Sequence, residues 1–266
     1  MNLWILVCSI ISGRVALIAG GSRGIGRAIA EGLSQAGATV ALSSRKEADL
    51  LQVGKQIRTR GGRAEVFPAD LSNVAQIQAL VREVLTRMSQ IDILVYVAGV
   101  NCRKPSIDIT EDDWDTVLDL NLKSLFFASQ AVGRYWLQTR RFAPEQKRGK
   151  GKIINIGSIA GEMGIRRVAI YSASKSGVAG VTRSLAVEWA SEGICVNCLT
   201  PGYIETDLTR ARFEDPAFSN AFHNRVPMGH RGYPSDLVGA AVFLASPASD
   251  YLTGQRIVVD GGYLIA

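Results

Sequence analysis

The chain has 266 residues, 47% of them hydrophobic and 20% charged, enough to bury one large core and too apolar for a disordered chain. Thirty basic residues against 24 acidic ones give a formal charge of +6. No nucleic-acid motif with aromatic interleaving appears, so the excess charge is expected to attract phosphate-bearing cofactors or anionic substrates at long range.

Residues 3–11 are mostly apolar and uncharged. A spanning helix needs about 20 apolar residues, and a secretory signal wants a basic start and a small-residue cleavage site. A lead-in segment packed on the sheet is therefore expected, with no membrane role and a cytosolic location. No internal repeat is apparent. From residue 15 onward short apolar runs alternate with amphipathic ones. Strands are predicted over 15–19, 39–43, 64–67, 91–97, 153–156, 194–199 and 256–259, and helices over 24–36, 47–60, 74–88, 111–137, 172–191 and 235–245. Strand–helix alternation with nearly continuous apolar strands predicts an α/β fold. It should be a single-domain, Rossmann-type, doubly wound parallel sheet of about seven strands with helices on both faces.

Ligands of such sheets bind beyond the carboxyl ends of the strands, and the notable residues fall there. After the first strand comes Ala19-Gly-Gly-Ser-Arg-Gly-Ile-Gly26. Gly20, Gly24 and Gly26 allow a tight turn and close approach of backbone to a pyrophosphate, with the following helix aiming its free N–H groups and dipole at the anion. The second strand ends in Ser43-Ser44-Arg45-Lys46. A carboxylate here would accept from a ribose 2′-hydroxyl and repel a 2′-phosphate. None is present, and Arg45, joined by Arg23, is suited to grip a phosphate. This predicts NADP(H), with NAD(H) as runner-up.

Between residues 134 and 152 lies a basic run that includes Arg140, Arg141, Lys147, Arg148, Lys150 and Lys152. It reads as a solvated loop between a helix and a strand. Further on, Tyr171-Ser-Ala-Ser-Lys175 places a phenol and an ammonium four residues apart, on one helix face. Cys195 and Cys198 have C-x-x-C spacing, but in a strand residues three apart point to opposite faces. With two histidines and no H-E-x-x-H pattern, no metal site is expected. The segment 203–233 mixes polarity with chain breakers and reads as a mobile substrate lid.

The glycine turn, Asn121 in Leu118-Asp-Leu-Asn-Leu122, Ser158 after 152–157 and the Tyr171/Lys175 pair together resemble the short-chain dehydrogenase/reductase family over nearly the whole chain. The resemblance implies an oxidoreductase that transfers a hydride between nicotinamide and a carbonyl or hydroxy compound. It implies Tyr171 as proton donor, with Lys175 and the nicotinamide charge lowering its pKa from the ordinary value near 10. Ser158 would stabilise the developing oxyanion, Asn121 would position a water in a proton relay, and Lys175 would hold the nicotinamide ribose. Cofactor contacts are implied for Gly20, Ser22, Arg23, Gly24, Ile25, Gly26, Ser44, Arg45, Asp70, Leu71, Ala98, Gly99, Tyr171, Lys175, Pro201, Gly202, Ile204 and Thr206. Two departures stand out: Ala19 replaces a common threonine, and Tyr96-Val97 replace two asparagines, which removes the usual local hydrogen bonds. A homotetramer is implied as well, its long helices pairing across one two-fold axis and its C-terminal segment across another.

The stretches 225–229, 236–239, 243–246 and 259–262 look most like gluconate 5-dehydrogenases and the related 2-dehydro-3-deoxygluconate dehydrogenases. A keto-sugar acid such as 5-ketogluconate is then the expected substrate, its ketone facing Ser158 and Tyr171 and its carboxylate received by Arg103, with Lys104, Arg225 and His223 as other receivers. Reductases of 3-oxoacyl carrier proteins and tropinone-reductase-like enzymes share most of these motifs and remain alternatives. A sensor that binds nucleotide without turnover would be expected to lack Tyr171 or Lys175.

Overall fold

The computed structural model describes residues 10–143, 145, 150–207 and 209–266. Cys8 and most of the lead-in lie outside them, as do Lys147 and Arg148. Seven strands form one sheet: β1 (Val15–Ala19), β2 (Thr39–Ser44), β3 (Arg63–Pro68), β4 (Ile93–Tyr96), β5 (Gly151–Ile156), β6 (Ile194–Pro201) and β7 (Arg256–Val259). Their order is β3-β2-β1-β4-β5-β6-β7, and every pairing is parallel. The chain moves outward from β1 in one direction and then restarts beside β1 with β4, so the crossovers diverge above these two strands and leave a crevice.

Nine α-helices connect the strands among the described residues: α1 (Gly24–Gln35), α2 (Glu47–Thr59), α3 (Val74–Met88), α4 (Glu111–Leu118), α5 (Ser124–Gln138), α6 (Ala169–Trp189), α7 (Arg210–Phe213), α8 (Pro216–Arg225) and α9 (Val238–Ala245). Alternation along each strand feeds two cores. Leu17, Leu94 and Tyr96 pack with Ile77 of α3, Val132 of α5 and Val178 of α6, whereas Ile18, Ile93 and Val95 pack with Ile29 of α1, Val53 of α2 and Leu244 of α9. Burial on both faces explains why the strands read as continuous apolar runs. Among the described residues, no helix is long and apolar enough to cross a membrane.

Two expectations need correction. The helix predicted over 111–137 is interrupted by a π turn, Asp119–Lys123. The basic run is not wholly a solvated loop either. Arg141 pairs with buried Asp92 at 2.6 Å, and Lys152, 1% exposed, reaches Asp250 at 2.8 Å and Ser249 at 3.0 Å. Asp92 also accepts from Val15 N and Gln90 Nε2, each at 2.8 Å, so these ions knit together the amino ends of β1, β4 and β5. Burial is sustained because every charge has a partner. The two strand cysteines are buried and free, as the facing argument requires.

Residues 203–233 carry α7 and α8. Tyr203, Phe213, Phe218 and Phe222 pack edge-on or stacked with ring centroids 5.1–6.2 Å apart, and Tyr263 joins them. Tyr263 therefore spends its burial within its own chain, while Ile265 is exposed.

Candidate active site

The glycine turn is held to β2 by the amides of Gly20 and Gly21, which donate to the Ser43 carbonyl at 2.8 and 3.1 Å. Gly20 has φ +101, and a Cβ there would lie 2.7 Å from the Ala98 nitrogen. A Cβ on Gly26 would lie 2.0 Å from the Gly20 oxygen. Both positions therefore need glycine. Arg23, the N-cap of α1, offers no side-chain acceptor, and the first turn holds no acid. The amino end of α1 thus keeps its free N–H groups and positive dipole end for an anion. At the end of β2 the hydroxyls of Ser43 and Ser44 are buried without a hydrogen-bond partner. An uncapped helix start, a turn that needs glycine at 20 and 26 and orphaned hydroxyls beside exposed Arg45 fit a dinucleotide whose ribose carries a phosphate.

Beyond β3, Asp70 accepts from the amide and hydroxyl of Ser72 at 3.0 and 2.7 Å. These bonds, with the Arg45 charge as a lesser influence, hold its carboxyl below the usual range. Leu71 turns its side chain into the core, so any ligand contact there falls to its backbone. Arg23 lies 3.7 Å from Asp207, both exposed.

One cleft gathers Ile25, Gly99, Ser158, Tyr171, Lys175, Pro201, Gly202, Ile204 and Thr206. Ser158 follows β5 in extended backbone, and its Oγ accepts from Ala160 N at 3.1 Å. Its own proton is left free to donate. Tyr171 and Lys175 project from α6. Burial pushes the Tyr171 phenol up, while a hydrogen bond with Ser158 lowers it. Lys175, only 5% exposed, donates to the Ile156 carbonyl at 2.8 Å and lies 5.7 Å from the Tyr171 ring centroid. Burial lowers its pKa to about 8. In the protein alone the phenol is thus raised; the ammonium, itself penalised by burial, does not pull it down.

Asn121 sits in the π turn, fully buried. Its Oδ1 accepts from Val100 N at 2.8 Å, and its Nδ2 donates to Val100 O at 2.9 Å and to Ser174 Oγ at 3.0 Å. Ser174 passes the link on to the Tyr171 carbonyl at 2.7 Å. A Cβ on Gly99 would stand 3.1 Å from Asn121 Oδ1 and 3.8 Å from Lys175 Nζ, so both groups face this glycine. Tyr96 supplies the bond that the missing asparagines left in question: its hydroxyl donates to the Leu120 carbonyl at 3.0 Å.

Sequence reasoning noted Tyr96 without finding its bond, and missed Gly157 and Thr209. Gly157 lines the cleft, and a Cβ there would meet Cys198 Sγ at 2.7 Å. Thr209 braces the Ile204–Thr206 turn by donating to Ile204 O at 2.5 Å and accepting from Thr206 N at 3.0 Å. The Thr-x-x-Thr spacing of this local side-chain-to-backbone turn was a readable signal. On the rim, Lys104 is taken by Asp113 at 2.6 Å, Arg225 stacks over Tyr263 at 4.5 Å, and His223 is bonded to Ser219. Arg103 is exposed and uncommitted to any ion pair among the described residues.

The sheet order, the anion-ready turn and the serine, tyrosine and lysine gathered in one cleft define a nucleotide-dependent α/β oxidoreductase. Residues 19–264 match the family model described as enoyl-(acyl carrier protein) reductase. The chain is 42% identical over 254 residues to a 2-dehydro-3-deoxy-D-gluconate 5-dehydrogenase of Escherichia coli K12, covering 96% of each chain. It is 36% identical to a 3-oxoacyl-[acyl-carrier-protein] reductase of Vibrio harveyi, covering 95% of this chain and 98% of that protein. Among solved structures, a gluconate 5-dehydrogenase of Burkholderia cenocepacia in complex with NADP and tartrate superposes with a TM-score of 0.91 at 38% identity, covering 98% of this chain and 99% of the other. The chain belongs to the short-chain dehydrogenase/reductase family.

Proposed function

We propose that the protein is an NADP(H)-dependent dehydrogenase/reductase that interconverts a keto-sugar acid such as 5-ketogluconate and its alcohol. The observation that carries this reading is the convergence of Ser158, Tyr171 and buried Lys175 in a cleft that also takes in Ile25 of the glycine turn. Similarity to the E. coli and B. cenocepacia enzymes supports the sugar-acid class.

When bound, the dinucleotide supplies or accepts the hydride and, in its oxidised form, brings a positive charge. Gly20, Ser22, Arg23, Gly24, Ile25 and Gly26 hold its pyrophosphate, and Ser44 and Arg45 the ribose phosphate. Asp70, Leu71, Ala98 and Gly99 hold the adenine half. Pro201, Gly202, Ile204 and Thr206 hold the nicotinamide half, and Tyr171 and Lys175 its ribose. Ser158 donates its free hydroxyl proton to the substrate oxygen. Tyr171 delivers its phenolic proton to that oxygen as the carbonyl becomes an alcohol and takes it back in the reverse direction. A phenol raised by burial stays protonated at neutral pH and so suits reduction. Asn121 fixes the Gly99–Val100 turn and the Tyr171 backbone; a lone pair left on its Oδ1, close to Lys175, supports the water-relay role. Arg103 receives the carboxylate, and residues 203–233 act as a lid.

Assembly as a homotetramer is part of the proposal, supported by exposed Val187 on α6 and Trp114 on α4 and by the family. A cytosolic location goes with a soluble dinucleotide. The test is a carbonyl panel with both cofactors: brisk NADPH-dependent reduction of 5-ketogluconate is expected, with Tyr171→Phe at least about 100-fold slower in kcat. No turnover of keto-sugar acids beside brisk reduction of a 3-oxoacyl thioester would move the reading to the carrier-protein reductases.

A further inference from the structure

The helix that carries Tyr171 and Lys175 meets the π turn that carries Asn121 along a short seam. A Cβ on Gly177 would stand 2.6 Å from Leu122 Cδ2, so the apolar part of the seam is a leucine of the π turn against a bare stretch of α6. Its polar part lies three residues earlier on the same helix face, where Ser174 Oγ accepts from Asn121 Nδ2 at 3.0 Å. Both partners are fully buried.

The direction of every bond here is fixed by donor count. Val100 N donates to Asn121 Oδ1 and Val100 O accepts from Nδ2, which leaves no choice in the orientation of the amide. One Nδ2 proton remains, and Ser174 is its acceptor. Ser174 has a single hydroxyl proton, and the Tyr171 carbonyl takes it at 2.7 Å. Val100, Asn121, Ser174 and Tyr171 thus form one chain in which each donates to the next. A buried network with every donor placed holds one arrangement. The helix itself gains nothing from the serine. Alanine is the better helix former, and a serine bonded to the carbonyl one turn back tends to bend its helix. The hydroxyl provides an acceptor for Asn121 instead. Alanine at this position would leave the last Nδ2 proton buried without a partner.

We propose that Ser174 is a positioning residue for proton transfer: it pins Asn121 to the first turns of α6 and so sets where the π turn stands relative to Tyr171 and Lys175. Ser174 does not line the cleft and acts through its two partners. The inference rests on the roles proposed above for Tyr171 and Asn121, and it holds whichever carbonyl compound is reduced.

The test is steady-state reduction by NADPH of 5-ketogluconate, or of the 3-oxoacyl thioester if that is the compound turned over. Ser174→Ala should lose roughly tenfold in kcat, the lower scale of proton-transfer effects, with KM for either substrate changed less than about threefold. In deuterium oxide the solvent isotope effect on kcat should be larger in Ser174→Ala than in the parent, because the proton step has slowed against the hydride step. A variant that is merely less folded would show the parent's value. Combining Ser174→Ala with Asn121→Ala should give an enzyme no slower than Asn121→Ala alone, since Ser174 works through Asn121. Cooperative melting identifies folded variants. Should Ser174→Ala not fold, Ser174→Cys, which keeps the shape with a much weaker hydrogen-bonding group, is read by the same criteria. Parent-like kcat, an unchanged solvent isotope effect, or losses that multiply in the double variant would overturn the inference. Tyr171→Phe is the control. If it stays active, the proton-donor reading itself falls; if it is inactive while Ser174→Ala matches the parent, only the role of Ser174 falls.

Discussion

Tyr96, the last residue of β4, donates its hydroxyl to the carbonyl of Leu120 at 3.0 Å and so ties the sheet to the π turn that holds Asn121. Tyr96→Phe removes the donor and leaves a carbonyl without this partner, at a cost of about 1–3 kcal/mol. Urea denaturation should show a loss in that range. kcat should fall several-fold while KM for NADPH changes less, because the π turn carries Asn121, whereas the glycine turn that receives the pyrophosphate is braced on β2 through the Ser43 carbonyl. Parent-like stability would show that water replaces the phenol.

Lys175 is a buried base whose pKa falls from 10.5 to about 8 on folding. Between these values the unfolded chain binds the extra proton, so this group's contribution to stability rises with pH through that window. Its cost is fully present below pH 8 and gone above 10.5, and amounts to at most about 3 kcal/mol. Lys175→Met should therefore be stabilised relative to the parent at pH 7 and lose that advantage by pH 10.5, while turnover is abolished. A stability difference independent of pH would mean that Lys175 is uncharged, or well solvated, at pH 7.

Arg45→Asp replaces the phosphate-facing cation with a repelling carboxylate that can accept from a 2′-hydroxyl. The ratio of kcat/KM for NADPH to that for NADH should drop at least tenfold, about 1.4 kcal/mol. An unchanged ratio, or a parent that already prefers NADH, counts against the cofactor assignment.

Gly99→Ala places a methyl 3.1 Å from Asn121 Oδ1 and 3.8 Å from Lys175 Nζ. The Ala side chain displaces a bridging water if one links the two. At saturating NADPH, kcat should fall roughly tenfold or more, the lower scale of proton-transfer effects. A fully active Gly99→Ala protein would dismiss the water-relay role of Asn121.

The sheet was legible because strands buried on both faces leave unbroken apolar runs, and all seven predicted strands lie within two residues of their observed bounds at each end; β5 begins two residues early and β6 extends two residues later, at Pro201. The break in the helix predicted over 111–137 was not. Buried Val117, Asn121, Leu125 and Ala128 keep helical spacing straight through it, and the interruption is accompanied by tertiary bonds from Tyr96 and to Val100. Arg141 and Lys152 were misread for the same reason: Asp92 lies 49 residues from Arg141, and Ser249 lies 97 from Lys152. The glycine turn, Ser158, Tyr171 and Lys175 were readable because each sits where a predicted strand ends or a helix turn repeats.

The ion network around Asp92, Arg141 and Lys152 lies at the opposite end of the strands from the cleft. Strain introduced among the rim loops has the full length of the sheet to dissipate before it reaches these ions. For protein engineering, substitutions near Asp92 are expected to change resistance to heat while leaving the cleft at the other end of the strands largely untouched.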